Sequence, residues 1–286
     1  MKKYTLPLFL LVLSSVFLSA CFGKFFMTNK EIETYYTTHT PKPQFFSYDT
    51  LGQKIFYAFA NAKSDSLPLL ILIHGAPGAW YGYIEYLEDT FLLKHFRIIS
   101  VDRPGYGKSN KKSPVVSIEE QAKLLSPLLS LSKNKKCYVL GRSYGAPIAA
   151  IMAYNNPQKV DGIFLVSPAV DPKLEKFWWF SKPIYYPPLR WLFPKAIRTA
   201  SDEKFAHQKE LKKISSCWSN IEQPSIIAQG GKDLIIYSKN AEYIDSLMIC
   251  SNHCYYFLPQ NGHLITKEIP DFIREKLFEL INLSGN

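Results

Sequence analysis

The sequence lacks three features that would each have fixed its class. It has no internal repeat, no low-complexity segment and, among 34 Lys and Arg residues, no long basic stripe. Those absences argue against a repeat protein, a disordered chain and a nucleic-acid-binding protein. The net charge of +10 comes from scattered lysines and short pairs such as Lys212-Lys213. That pattern is typical of a solvated surface with a mild attraction for anionic lipid or envelope polymers.

The N-terminus has the order of a secretory signal. A basic start, Met1-Lys2-Lys3, precedes an apolar run over 6–18. That run is short for a membrane span, which needs about 20 residues. The small residues before Cys21 resemble a bacterial lipobox. The resemblance implies a signal peptide at 1–20, acylation of Cys21 and a lipid-anchored protein in a bacterial cell envelope, with the outer membrane favoured. An ordinary signal peptide with an unrelated cysteine is the alternative.

Cysteine is scarce, with 5 residues in 286. A chain of this length, 47% hydrophobic, can bury a large core without disulfides, and it suits one domain with or without an insertion. Export would permit disulfides. Cys250 and Cys254 could pair across a short turn, Cys217 could compete with either, and Cys137 falls in a predicted buried strand. The sequence leaves the pairing open, and it contains no recognisable zinc-ligand spacing.

Predicted strands and helices alternate from residue 53 onward. Near-continuous apolar runs are typical of strands buried on both faces. Repeated strand–helix units imply an α/β fold, a mainly parallel twisted sheet with helices on both faces. We predict a tether and N-terminal edge at 21–48 and one domain at 49–286. The predicted strands cover 54–60, 67–74, 96–101, 137–140, 160–166, 224–229 and 255–258, and the predicted helices 117–131, 144–155, 240–249 and 266–283, the last starting or kinking at Pro270.

An interval at about 171–222 interrupts this alternation. It contains aromatic and proline-rich runs at 177–180, 185–188 and 191–194. Prolines at that density argue against strands. A long irregular segment inside a compact domain is usually functional. We predict a mostly helical, aromatic-rich cap over the active edge of the sheet. A membrane-contacting surface is the alternative, and the two are compatible.

The strongest chemical signal is Gly141-Arg142-Ser143-Tyr144-Gly145, between a predicted strand and a predicted helix. This is the context that a nucleophile elbow needs, because the turn is so tight that its flanking residues must be small. The turn lifts the serine hydroxyl clear of the sheet at a helix N-terminus, which favours negative charge. Ser143 is therefore the predicted nucleophile. A glycine-rich structural turn with an idle serine is the alternative.

A catalytic serine needs a general base and an acid that orients it. Among six histidines, His263 alone follows the last predicted strand and precedes the closing helix. Loops at the carboxyl ends of parallel strands gather at one crevice, which makes His263 the predicted base. Asp233 follows the penultimate strand and is favoured as the acid over Asp171. The chain order Ser143, Asp233, His263 is the order typical of this type of triad.

A tetrahedral intermediate also needs two N–H donors for its oxyanion. The backbone N–H of Tyr144, directly after the nucleophile, is one candidate. The other is the N–H of Ala76, in the segment His74-Gly75-Ala76-Pro77-Gly78 after an early strand. His74 itself is expected to be a structural hydrogen-bonding residue rather than a second base.

These motifs, together with the run 102–109, DRPGYGKS, resemble the α/β-hydrolase superfamily over roughly 54–283. The resemblance implies that Asp102 and Arg103 support the site. The elbow serine differs from the aspartate of haloalkane dehalogenases and epoxide hydrolases. The Pro-Gly of the oxyanion loop is similar to proline iminopeptidases, which carry Gly where Ala76 stands and hold the substrate amine with cap acids. The acids available in this cap are Glu175, Asp202, Glu203 and Glu210, and the sequence singles out none of them.

The sequence thus predicts a serine hydrolase that cleaves carboxylic esters with an apolar acyl or aryl group. Neither a metal nor an organic cofactor is implied, and the expected partners are a small ester and a membrane. An aminopeptidase or amidase of the proline iminopeptidase type is the second hypothesis. A non-catalytic surface lipoprotein that binds apolar ligands is the third. The oligomeric state stays open.

Overall fold

The computed structural model describes residues 26–109, 114–177 and 181–285. The predicted signal peptide at 1–20 and the predicted lipidation site Cys21 lie outside these residues. The same holds for 178–180, which form most of the first aromatic run of the predicted cap. No helix in the three described ranges is long and apolar enough to cross a bilayer.

An eight-stranded sheet forms the centre of the molecule. Its strand order is β1-β2-β4-β3-β5-β6-β7-β8. The first two strands pair antiparallel, as do β2 and β4, and every other pair is parallel. This architecture confirms the predicted mainly parallel α/β fold. The strands are β1 (Gln44–Thr50), β2 (Gln53–Ala60), β3 (Leu69–Ile73), β4 (Arg97–Asp102), β5 (Cys137–Arg142), β6 (Gly162–Val166), β7 (Ser225–Gly230) and β8 (His253–Leu258).

Helices connect the parallel strands and cover the sheet. Two of them, with a short 3₁₀ turn between, lie in the long connection from β6 to β7. The α-helices described are α1 (Asn29–Tyr35), α2 (Ile118–Leu125), α3 (Gly145–Asn155), α4 (Ser181–Tyr185), α5 (Lys195–Lys213), α6 (Lys239–Leu247), α7 (Ile265–Glu268) and α8 (Pro270–Leu283), and the 3₁₀ segments are Trp80–Leu87, Leu92–Lys94, Ser126–Ser132, Leu189–Leu192 and Ser215–Asn220.

Strand β3 shows how the apolar runs build the core. Its five residues are apolar and fully buried. Because successive side chains point to opposite faces, alternate residues enter two separate clusters, one on each side of the sheet. Burying an aliphatic side chain of this size contributes about 1.5–3 kcal/mol relative to leaving it exposed. The sheet is therefore the middle layer between two apolar clusters.

Some elements differ from the sequence predictions, among them strand β1, which the predicted strands did not include. The helix predicted over 117–131 is α-helical only to Leu125 and continues as a 3₁₀ segment. Pro127 explains the change, because it has no N–H to donate to the preceding turn. Helix α1 was not predicted at all, although Thr28 and Glu31 cap it reciprocally in a capping box that the sequence displays. The break at Pro270, between α7 and α8, follows the prediction.

The four cysteines that the structure describes are free thiols. Cys250 is exposed and Cys137 is fully buried, and burial raises the pKa of the Cys137 thiol. These four cysteines therefore form no disulfide with one another.

We expect iodoacetamide to alkylate Cys250 in the folded protein and Cys137 only after unfolding, because the attacking species is an accessible thiolate. Peptide mass mapping at increasing urea concentration measures both. Equal labelling of the two thiols without urea would contradict the burial of Cys137.

Candidate active site

The turn after β5 holds Ser143 in a strained conformation. Its φ of 55° is left-handed, which costs a non-glycine residue on the order of 1–3 kcal/mol and is common at functional sites. A Cβ on Gly141 would lie 2.4 Å from the Gly145 carbonyl oxygen, and one on Gly145 would lie 2.5 Å from that of Ile73. Only glycine fits on either side of this turn. Ser143 itself is 7% exposed and lines a cavity.

His263 and Asp233 meet at the same edge of the sheet. The Nδ1 atom of His263 lies 2.7 Å from Oδ2 of Asp233, whose side chain is fully buried. The other carboxylate oxygen of Asp233 accepts the backbone N–H groups of Ile235 and Ile236, both at 2.8 Å. The loop after β7 therefore fixes the carboxylate, and the carboxylate fixes the imidazole.

The pKa of Asp233 lies below its ordinary value. Burial by itself would raise this pKa, but the hydrogen bond and charge of His263 and the two backbone N–H groups stabilise the ionised form more. An ionised carboxylate can only accept a hydrogen bond, so Nδ1 of His263 must donate to it. Nε2 of His263 then faces away from Asp233 as the atom free to exchange a proton.

Ser143 is tied to this pair through the end of β6. The backbone N–H of Ser143 donates to the Val166 carbonyl at 2.9 Å. Ser167, which follows Val166 in the chain, donates from Oγ to the carbonyl of His263 at 3.1 Å. A direct hydrogen bond between the Ser143 hydroxyl and His263 is absent from the described part of the chain. Such bonds are often long before a substrate is bound. Asp171, the rival acid, instead accepts the backbone N–H of Lys173.

The two predicted oxyanion donors flank Ser143. Ala76 and Tyr144 line the same cavity as the serine. In the residues that the structure describes, neither backbone N–H has a hydrogen-bond partner. The approach between the two loops is close, since a Cβ on Gly75 would lie 3.0 Å from that of Ser143. Both N–H groups are therefore available to a substrate oxygen.

His74 is a structural residue, as the sequence indicated. Its Nδ1 lies 2.7 Å from the Gly75 carbonyl, and its Nε2 accepts the backbone N–H of Arg103 at 3.1 Å. Full burial, together with the charge of Arg103, holds the pKa of His74 well below its usual range. The neutral ring thus links the oxyanion loop to the loop after β4.

Arg103 joins the oxyanion loop to the cap. It donates to the carbonyls of His74, at 2.9 Å, and Gly75, at 3.1 Å. It also donates two hydrogen bonds, of 2.6 and 3.0 Å, to the Glu203 carboxylate on α5 and one, of 2.7 Å, to the side-chain oxygen of Gln121. The Arg103 and Glu203 side chains are both fully buried. Burial disfavours the charged guanidinium, but Glu203 and Tyr106 hold the pKa of Arg103 above its ordinary value.

Replacing Glu203 by Ala is expected to lower the free energy of unfolding by about 3–5 kcal/mol, because Arg103 would stay buried without its counter-ion. Urea unfolding measures the change. The matched control is Glu33→Ala, which removes the ion pair with Lys42 on the surface and should cost less than about 1 kcal/mol. Equal effects of Glu203→Ala and Glu33→Ala would contradict a structural role for the pair.

A second imidazole–carboxylate pair lies in the cap. Nδ1 of His207 is 2.6 Å from Oε1 of Glu175, which also pairs with Lys204. Although burial favours the neutral acid, these partners hold the pKa of Glu175 below its ordinary value. The His207 ring stacks on the Tyr144 ring with centroids 4.5 Å apart. The cap therefore packs against Tyr144, the residue next to the predicted nucleophile Ser143.

The cavity between the cap and the sheet has a volume of about 290 Å³. Its wall is mostly apolar, and its polar members include Ser143 and the paired Glu175, Lys204 and His207. Within the described ranges, no group of three or more His, Cys, Asp and Glu side chains is placed to hold a metal ion. The apolar members of the wall are Ala76, Pro77, Ala169, Leu174, Ile184, Ile197, Ala200, Ile235 and Ile236.

Sequence reasoning missed the partners in the cap. It counted Glu175 and Glu203 among four cap acids without singling out either, and it favoured His263 over the other five histidines, of which His207 is one. The structure neutralises both acids in buried pairs, Glu203 with Arg103 and Glu175 with Lys204 and His207. No local signal in the sequence marks these contacts, because the partners are 29 to 100 residues apart.

Comparison with known proteins supports the fold. Residues 68–191 match the family model described as the alpha/beta hydrolase fold. A proline iminopeptidase of Lactobacillus crispatus is 28% identical over 121 residues, 41% of each chain. Epoxide hydrolase B of Mycobacterium tuberculosis is 27% identical over 114 residues, 39% of this chain and 32% of the relative. The matches thus span well under half the length of these relatives.

A putative aryl esterase from Burkholderia cenocepacia has a similar structure, with a TM-score of 0.72 at 16% sequence identity. The superposition covers 84% of this chain and 99% of the other. With its sheet order and the family match over 68–191, this chain has the α/β-hydrolase fold.

Proposed function

We propose that this protein is a serine hydrolase that cleaves carboxylic esters with an apolar acyl or aryl group. The observation that carries the proposal is the 2.7 Å contact between His263 and the buried Asp233, at the sheet edge that also bears the strained Ser143. The N–H groups of Ala76 and Tyr144 beside that serine have no hydrogen-bond partner among the described residues, and they support the same reaction.

In the proposed mechanism Nε2 of His263 takes the Ser143 hydroxyl proton as the oxygen attacks the ester carbonyl. The carbonyl oxygen becomes an oxyanion held by the Ala76 and Tyr144 N–H groups. Asp233 keeps the imidazole in the tautomer with hydrogen on Nδ1 and stabilises its charged form. His263 returns the proton to the leaving alcohol, and an acyl-enzyme remains on Ser143. Water, activated by the same imidazole, then releases the acid.

The cavity favours an ester over an amino-terminal peptide. An aminopeptidase of the proline iminopeptidase type must offer a carboxylate to the substrate amine. Three acid side chains of this cap are buried, and each already has a cationic partner: Arg103 for Glu203, Lys204 with His207 for Glu175, and Lys213 for Glu210. The apolar wall is suited to an acyl or aryl group instead.

We also propose that the protein is attached to a membrane of a bacterial cell envelope through acylated Cys21, after removal of residues 1–20. The support is the basic, apolar and small-residue order of the N-terminus. The hydrolase domain would then lie outside the cytoplasm, with the outer membrane favoured.

The substrate proposal is tested by comparing kcat/KM for p-nitrophenyl esters of rising acyl length with kcat/KM for a prolyl arylamide. We expect turnover of the esters and little or none of the arylamide. Faster turnover of the arylamide would replace the esterase proposal with the aminopeptidase. A fluorophosphonate probe that fails to label the protein would favour a non-catalytic ligand-binding lipoprotein.

A further inference from the structure

Large apolar side chains are exposed on one side of the molecule, in two separate segments. One segment belongs to the cap and the other follows β7. Exposed apolar groups of this size on a folded chain mark a surface that meets another apolar phase when they are contiguous. We call the exposed apolar side chains of these two segments the mouth face. They are Phe177 (51% exposed), Tyr186 (54%), Leu189 (49%), Trp191 (69%), Leu234 (76%), Ile235 (53%) and Tyr237 (46%).

The two segments of the mouth face meet at the cavity that contains Ser143. The Lys176 ammonium donates to the Leu234 carbonyl at 2.6 Å and lies 5.1 Å from the centre of the Tyr237 ring. Ile184 from the cap and Ile235 from the other segment both line the cavity wall. The exposed apolar surface therefore borders the cavity of the proposed active site, which Ile235 of that surface lines.

Within the cap, ring contacts make the face continuous. The Phe177 ring lies 5.3 Å from that of Phe205, and Phe205 in turn stacks on Tyr185 at 4.0 Å. Tyr186 packs edge-on against Tyr185 at 4.8 Å. Farther along, the Trp191 ring lies 5.1 Å from the Arg198 guanidinium on α5. These contacts hold the exposed rings in place before any partner binds.

The charges around the mouth face are positive. Between 173 and 191, and between 231 and 239, the sequence has two acids, Glu175 and Asp233. Both carboxylates are buried and already have partners, Lys204 and His207 for Glu175 and His263 for Asp233. The exposed charged side chains of the two segments are Lys173, Lys182, Lys232 and Lys239. Aromatic groups ringed by lysines match the boundary between acyl chains and anionic headgroups.

We propose that the mouth face docks on a bilayer that contains anionic lipid, so that the cavity opens onto the acyl chains. A second copy of this chain is a poorer occupant, because a two-fold contact would bring one ring of lysines against the other. The consequence for substrate, a lipid ester drawn directly from the membrane, rests on the function proposed above. The docking itself does not.

The test is quenching of tryptophan fluorescence by brominated phospholipid, with the full chain bound to vesicles. Every sample carries Ser143→Ala, so that no lipid is consumed and the readout is independent of catalysis. The contribution of Trp191 is obtained by subtracting the emission of the Trp191→Phe variant from the emission of the chain that retains Trp191. The matched control is Ile249→Trp in the Trp191→Phe background. Ile249 is 77% exposed and lies just before the amino end of β8, whereas the cavity lies at the carboxyl ends of the strands.

We expect brominated vesicles of phosphatidylglycerol and phosphatidylcholine to quench Trp191 strongly and the tryptophan at 249 little. Lys182→Glu/Lys239→Glu should reduce the quenching, since each lysine near an anionic surface contributes about a fivefold preference for the docked state. Lys63→Glu/Lys135→Glu, on loops that precede β3 and β5, should leave it unchanged.

Equal quenching at positions 191 and 249 would overturn the proposal. So would Trp191 emission that changes with protein concentration without vesicles, because this result would assign the mouth face to a second copy. Turnover of a soluble p-nitrophenyl ester, measured in the chain that retains Ser143, tests the proposed function separately. Trp191→Phe should leave this turnover of the soluble ester unchanged.

Discussion

Replacing Ser143 by Ala is expected to lower kcat for short p-nitrophenyl esters by about 10⁴-fold or more, because the proposed acyl-enzyme forms on this hydroxyl. Stability should change little or rise, since alanine keeps the fold of the turn and loses only a hydroxyl that lies at the cavity. Steady-state kinetics, with thermal unfolding as the check on folding, measures both.

The matched control for this prediction is Ser201→Ala. Ser201 also lines the cavity, and its buried hydroxyl has no hydrogen-bond partner among the described residues. This variant should keep kcat within a few-fold of the parent. Comparable losses for the two variants would mean that the cavity tolerates neither change and would remove the special role assigned to Ser143.

Asp233→Asn should reduce kcat by about 10⁴-fold, because the acid of a serine–histidine–aspartate triad holds the imidazole in the tautomer that can accept the serine proton. The amide nitrogen of Asn would donate to Nδ1 of His263. Nε2 would then carry the hydrogen and could no longer accept the serine proton. Because the pKa of Asp233 is already held below its ordinary value, the carboxylate stays ionised above about pH 5, so the loss should persist across the neutral range.

Asp171→Asn is the control, because it changes the rival acid that the sequence alone allowed. Its carboxylate accepts a hydrogen bond from the backbone of Lys173 rather than from a histidine. We expect a change of at most a few-fold. A larger loss for Asp171→Asn than for Asp233→Asn would reverse the assignment of the acid.

The part of the site that sequence reasoning could reach is the part carried by local signals. Ser143 lies in a five-residue pattern with glycines that the turn requires. Asp233 and His263 each follow a strand that its apolar residues reveal, and a parallel sheet brings such loops to one edge. The regular alternation of strand and helix fixes this arrangement without any knowledge of side-chain contacts.

The contacts made by the cap could not be reached in this way. Glu203 and Arg103 are 100 residues apart, and their pairing depends on where α5 settles over the sheet. Nothing in the sequence next to Glu203 distinguishes it from Asp202, which pairs with Arg190 nearer the surface. Long-range packing, rather than helical propensity, decides which of these acids is buried.

The coupling between cap and site follows from these same contacts. Glu203 holds Arg103, and Arg103 holds the carbonyls of the loop that carries the Ala76 N–H. On the other side, His207 stacks on Tyr144, whose N–H is the second proposed oxyanion donor. Both donors are thus positioned by residues of the cap, which makes the cap a part of the site rather than a cover alone.

The most direct test is to react the protein with a fluorophosphonate and to map the adduct by mass spectrometry, with and without His263→Ala. We expect a single adduct on Ser143, formed rapidly in the parent and at least about 100-fold more slowly without the imidazole. An adduct on another residue, or an unchanged rate in the variant, would show that Ser143 and His263 do not act together.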